Sequence, residues 1–249
     1  MIDPIEQFNI EKIFTIGHIG NQEIAFTNSS AYMFGSVALI SLFMIGGVAG
    51  RQLVPGRIQS MAELSYEFVA NTIQSTAGKE GMKFFPLVFS IFMLLTVSNM
   101  VGVIPYSFTI SSHLIVTAAL ALLVFFTVLT YGFYKNGLKF FKLFVPSGIP
   151  IVILPLVVFI EVFSFFLRPI SHSVRLFANM LAGHIALTVF ASFIPVLAGL
   201  GIAGYAGAVL PLGMVIALTA LELLVAFLQA YVFTILTCIY LNDAIHPGH

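Results

Sequence analysis

From Phe84 to Tyr134 the chain carries no formal charge, and from Leu176 to Leu221 it again carries none. Apolar runs of that length need a solvent as apolar as themselves, and a helix crosses the roughly 30 Å hydrocarbon core of a bilayer with about 20 residues. Of the 249 residues, 59% are hydrophobic and only 8% charged, against roughly 25% charged in an ordinary soluble domain. That excludes a soluble globular protein. Ten basic residues balance ten acidic ones, so nucleic-acid binding is excluded too. The single cysteine, Cys238, stands in an apolar run; it reads as a buried thiol, with neither disulfide nor thiolate metal site. No metal or cofactor is expected. Asp3, Glu6, Glu11 and Glu23 against Lys12 are the wrong charge pattern for a secretory signal.

The expected architecture is an all-α membrane protein, a single integral domain over residues 1–249. It has five membrane-crossing helices and one amphipathic surface helix. A polar segment, 1–23, leads into a first span over 24–50, closed by Arg51, Pro55 and Arg57, with Gly46 and Gly50 as a small packing face. Over 60–78, Met61, Leu64, Phe68 and Ile73 share one helical face and Glu63, Glu67, Asn71 and Gln74 the other, the pattern of a helix lying at an interface. Residues 84–134 form a two-span hairpin divided near Pro105 and the polar stretch Ser107 to Ser112. Residues 146–242 form a second hairpin, folded at a glycine-rich turn near Ile202. Its arms, about 45 and about 35 residues, would reach roughly 67 and 52 Å upright, so they must break or lie strongly tilted. Pro169 and Pro195 are candidate breaks, whereas Pro211 sits near a helix start, where it is tolerated.

Five crossings put Arg51, Arg57, Lys79, Lys83, Lys135, Lys139 and Lys142 on one side, while the loops near Pro105 and Gly204 carry no lysine or arginine. The positive-inside rule places that side in the cytoplasm and the N-terminus outside.

Within the last hairpin, Arg175 is a permanent positive charge in apolar sequence, because a guanidinium keeps its proton. Placing it there costs about 2.5–3.5 kcal/mol on insertion scales, so its expected use is on something anionic. On one helix Glu161, Arg168, His172, Arg175 and Asn179 fall within about 60° of each other, along about 27 Å. Ala178, Ala182 and Ala186 form a small-residue row beside them. The last helix carries Thr219, Glu222, Ala226 and Gln229 in a stripe. Folding back near Ile202 sets Arg175 opposite Gln229 and brings Glu222 near His184. Groups that exchange protons thus stand on both sides of one that cannot, as in a gated pathway. Asp243, His246 and His249 read as a solvated tail, and Arg168 as a charge reaching for the cytoplasmic interface.

Val174-Arg175-Leu176-Phe177-Ala178-Asn179-Met180-Leu181-Ala182-Gly183-His184 resembles the arginine motif of subunit a of F-type ATP synthases. Leu221 to Phe233 resembles that subunit's last helix, and Asn99 to Thr109 its third-helix ending. The His184/Glu222 combination is similar to the alphaproteobacterial and mitochondrial branch. The resemblance covers essentially the whole chain. It implies a non-catalytic stator subunit of the membrane sector, working beside a ring of c subunits, with b-type peripheral stalk subunits and the rest of the synthase as further partners. It also implies two offset proton half-channels separated by Arg175. Glu222, His184 and Asn179 would serve the outer one and Glu161 the inner one, with Gln229 positioning Arg175. Bacterial inner membrane is the implied location, mitochondrial inner membrane the alternative.

Two rival classes make different demands. A proton-coupled secondary transporter predicts internal repeats, and none is visible between the halves. A haem-binding cytochrome needs axial histidines, yet His172 and His184 lie about 120° apart around one helix.

Overall fold

The computed structural model describes residues 9–19, 22–50, 54–104, 107–145, 150 and 152–247. Arg51, Pro105, Pro146 and His249 lie outside the described residues. Strands β1 (Lys12–Ile19) and β2 (Gln22–Thr27) precede helices α1 (Asn28–Ala49), α2 (Arg57–Gly81), α3 (Phe85–Gly102), α4 (Leu114–Asn136), α5 (Leu154–Ala198) and α6 (Ile202–Ile245). Five helical stretches are long and apolar enough to cross a membrane: Asn28–Ala49, Arg57–Gly102, Leu114–Phe144, Leu154–Ala198 and Gly204–Ile245. The protein is an all-α membrane protein with one small hairpin of strands.

That hairpin occupies the segment expected only to be polar. β1 and β2 pair antiparallel from Lys12 opposite Thr27 to Ile19 opposite Gln22, which carries Ile24–Thr27 out of the first span. Phe14 stacks on Phe26 with ring centroids 5.0 Å apart. Lys12 Nζ meets Glu23 Oε2 at 2.6 Å, holding that carboxyl below its usual range. α1 then starts where Thr27 Oγ1 accepts from the Ser30 amide at 3.4 Å, an N-cap on the first turn.

α5 is helical over all 45 residues and α6 over 44, with Pro211 inside it. Neither proline of α5 expected as a break interrupts the helix. At 1.5 Å per residue each helix is about 66 Å long, over twice the hydrocarbon core, so tilt accommodates the length. The turn between them comes at Gly201, whose φ of 86° is open to glycine at no steric cost. Gly199 N donates to Pro195 O at 3.1 Å and Tyr205 N to Gly201 O at 3.1 Å, closing one helix and opening the next.

The chain forms two compact units. The first comprises Met1–Ile40, Leu94–His113 and Leu176–Gln229; the second comprises Ser41–Met93, Leu114–Arg175 and Ala230–His249. In the first, Leu95, Leu176 and Met180 are fully buried, and Asn99 Nδ2 donates to Ala226 O at 3.3 Å. In the second, Val69, Ile73, Val88, Phe233 and Leu241 form the core, with Phe140 packed against Phe133 and Phe165. Thr117 Oγ1 and Ser173 Oγ lie 3.1 Å apart, Asn136 Nδ2 donates to Ala244 O at 2.7 Å, and Lys135 pairs with Glu80.

α2 keeps the expected polar face: Glu63, Glu67, Asn71 and Gln74 are exposed, while Phe68 is half-buried and Ile73 buried. Met61 and Leu64, at the start of the apolar face, are exposed, as a helix lying at an interface allows, and Ala62, Val69, Thr72 and Ala77 join Ile73 in the buried seam.

Candidate functional site

The last two helices run antiparallel from the Gly201 turn, and within the first unit two polar pairs join them. Nearest the turn, His184 on α5 and Glu222 on α6 are both buried, with Nε2 3.6 Å from Oε1. That is too long for a direct hydrogen bond. Neither Glu222 oxygen has a hydrogen-bond partner among the described residues. A buried carboxyl left so open is unstable relative to a bonded one, and a proton or a partner arriving there is stabilised at once.

Gly183 makes the arrangement possible. A Cβ on Gly183 would lie 2.8 Å from Glu222 Oε1, inside ordinary contact, so a larger residue there displaces the carboxyl from where it rests against α5.

The nitrogen of His184 that faces Glu222 is held by a third residue. This Nε2 lies 2.8 Å from Thr109 Oγ1. The Thr109 hydroxyl donates its single proton to Gly102 O at 3.3 Å, so in this geometry the imidazole N–H is the donor to Thr109. The polar series continues through the same loop. Ser112 Oγ donates to Thr109 O at 2.6 Å, and Ser111 Oγ donates to Asn99 Oδ1. Thr109, Ser111 and Asn99 are all buried. Sequence reading used Ser107 to Ser112 only to divide two spans; its signal was the density of hydroxyls beside the Asn99-to-Thr109 motif.

Further from the turn, Asn179 Nδ2 donates to Gln229 Oε1 at 3.0 Å. The Gln229 Nε2 atom is buried with no hydrogen-bond partner among the described residues. The pairing runs about one helical turn beyond the register expected from a fold near Ile202.

The second unit holds Arg175, Glu161 and the ion pair of the hairpin's far end. Arg175 is exposed, and it makes no ion pair with any described residue. Its own face of α5 carries Ser171, Ala178, Asn179 and Ala182, all exposed, while the exposed Phe159, Phe163, Phe166, Ile170 and Val174 project about 100–180° away around the helix. Glu161 is half-buried and likewise in no ion pair among the described residues. Arg168 Nη1 meets Asp243 Oδ2 at 2.8 Å, and its guanidinium lies 4.8 Å from the Tyr240 ring centroid. Asp243 is therefore no part of a solvated tail: both partners are about three-quarters buried, at 22% and 26% side-chain exposure. His172 is buried against Phe233, with ring centroids 4.2 Å apart and planes at 15°. Among the described residues no cluster of three His, Cys, Asp or Glu could hold a metal.

Chemically, the helices present an exposed cation in no ion pair among the described residues, a buried acid–imidazole pair, and an amide pair. Such a set can attract an anion at one point and hand protons along at another.

Comparison with known proteins adds a separate line. The family described as ATP synthase A chain matches residues 30–242. The chain is 86% identical over 249 residues to an ATP synthase subunit a of Rhodopseudomonas palustris (strain BisB18), covering 100% of each chain. It is 85% identical over the same length to that of strain BisA53. To the ATP synthase subunit a of Nitrobacter winogradskyi it is 80% identical, again over the whole of both.

Proposed function

The chain belongs to the ATP synthase A chain family, and from that premise we propose that Arg175 is the fixed charge separating two proton half-channels. The protein is a membrane-sector stator subunit of a rotary ATP synthase, takes part in proton translocation, and is a multi-pass protein of the bacterial inner membrane. The secondary-transporter reading is not favoured.

The observation that carries the role of Arg175 is its isolation: an exposed guanidinium at lipid depth in the chain, in no ion pair among the described residues. Were it structural, an acid of its own chain would neutralise it, as Asp243 does for Arg168. Its counter-charge is then a carboxylate on a neighbouring ring of c subunits. Each carboxyl, once deprotonated, is stabilised as an anion beside Arg175, because attraction is strong where water is excluded. Ala178 and Ala182 are exposed on the same helix and admit a close neighbour helix. A guanidinium that holds its proton also blocks direct leakage between the half-channels.

Glu222 and His184 carry protons from the outer side. The open carboxyl and the imidazole beside it can exchange a proton over a sub-ångström closure or through one bridging water. Asn179 and Gln229 tie α5 to α6 one turn beyond Arg175 on α5 and fix that segment's position. Glu161 receives protons on the inner side. The driving force is about 2.3 kcal/mol per charge per 100 mV. The subunit performs no bond-forming chemistry of its own; ATP is made elsewhere in the complex, and b-type stalk subunits hold the stator still.

The deciding experiment is Arg175→Ala in inverted membrane vesicles. ATP-driven proton pumping is abolished while ATP hydrolysis by the detached soluble head continues. Undiminished pumping would refute the role.

A further inference from the structure

Two arginines stand on one stripe of α5. Arg168 and Arg175 are seven residues apart, so they project within about 20° of each other and about 10 Å apart along the axis. A ring carboxylate drawn to one guanidinium can be drawn to the other. What separates them is pairing: Arg175 is exposed and unpaired among the described residues, whereas Arg168 is held by Asp243 at 2.8 Å and lies over Tyr240.

Beside Arg168 is a cavity of about 10 Å³ lined by Ala121, Val124, Phe165, Arg168, His172 and Tyr240, among others. That volume is about one water molecule. His172 is 3% exposed, and its Nε2 is buried with no hydrogen-bond partner among the described residues. The ring is fixed between Phe233 and Tyr240, so it cannot turn away to find one. A water in the cavity has the polar partners it needs: it donates to Nε2 and accepts from a guanidinium N–H of Arg168 that Asp243 does not use.

We propose that this cavity holds one bound water joining His172 to Arg168, and that His172, the water and Asp243 together lock Arg168 so that Arg175 alone meets the passing carboxylates. The inference rests on the proton-translocation reading above. His172 is then a positioning residue, acting through Arg168.

The test uses the assembled complex in inverted vesicles, with ATP-driven proton pumping normalised to complex content. His172→Phe removes the water's acceptor, and Ala121→Leu fills the cavity while leaving the imidazole in place. Each slows pumping several-fold. Adding Arg168→Gln to either restores the rate to near wild type, because the released charge is gone. His172→Gln, which offers the water an amide oxygen, pumps normally. Undiminished pumping in both first variants, or a loss that Arg168→Gln does not relieve, overturns the inference. So does a high-resolution map of the complex with no water between His172 and Arg168, a readout independent of how the variants fold. Arg175→Ala run alongside separates the two levels: pumping there overturns the function itself, while its loss with normal His172→Phe and Ala121→Leu pumping overturns only the lock.

Discussion

Gly183→Ala puts a single methyl group against the Glu222 carboxyl of the proposed outer pathway. The added Cβ would lie 2.8 Å from Glu222 Oε1, 3.2 Å from its Cδ and 3.5 Å from its Cγ. To reach an ordinary contact near 3.4 Å the carboxyl must retreat by about 0.6 Å. His184 cannot follow, because Thr109 holds its Nε2 at 2.8 Å. The present Nε2 to Oε1 separation of 3.6 Å therefore changes, and exchange between the two groups with it. Overpacking of this kind costs about 1–3 kcal/mol. If that falls on the proton-transfer barrier, the rate drops about five- to a hundred-fold. The assay is ATP-driven acidification of inverted vesicles, normalised to ATP hydrolysis in the same membranes. Glu222→Asp in the Gly183→Ala background withdraws the carboxyl by one methylene and recovers part of the rate, so the two effects are strongly non-additive. Wild-type pumping by Gly183→Ala, or strictly additive losses in the double variant, would refute the reasoning.

Thr109→Val keeps the volume but removes the hydroxyl that holds His184, and proton pumping falls several-fold; Thr109→Ser, which keeps the hydroxyl, stays near wild type in the same assay. Glu222→Gln slows proton flow without dissociating the complex, checked by subunit content after purification. Asp243→Asn leaves the Arg168 guanidinium with a neutral partner and loses about 1.5–3 kcal/mol, seen as subunit release at lower temperature during mild heating of the purified complex. Gly201→Ala forces a side chain into a turn at φ 86°, which costs about 1–2 kcal/mol, read as reduced incorporation of the subunit into membranes.

The spans were legible because a bilayer converts length into architecture: twenty apolar residues cross it whatever their order. Their sidedness was legible in part. For α2 the polar face of Glu63, Glu67, Asn71 and Gln74 is exposed and Ile73 buried, as the periodicity implied, whereas the seam also takes in Ala62, Val69, Thr72 and Ala77, which the period did not single out. The strands β1 and β2 were missed because a short acidic segment with a few aromatics has no strong period of its own. The meeting of His184 with Glu222 followed from antiparallel counting alone. Thr109 and Ser111 did not, because they stand in a loop, where neither a period of 3.6 nor of 2 says which side chain turns inward. Asp243 was misjudged for a related reason: nearness to the chain end suggested solvent, but α6 continues to Ile245 and carries the carboxylate to Arg168.

The distribution of unsatisfied groups ties these observations together. Buried polar atoms are normally bonded, and this protein follows that rule at Thr117, Asn99, Ser111, Thr234 and Thr237. Among the exceptions, both oxygens of Glu222 and the Nε2 of Gln229 lie on the last two helices, and Arg175 adds an exposed cation in no ion pair among the described residues. A fold that only needed to be stable would place hydrophobic residues at those positions, since a half-satisfied polar site is worse than an apolar one. A pathway for protons requires the opposite. Each station must be short of one bond, so that an arriving proton, water or carboxylate completes it and its departure leaves the station ready again.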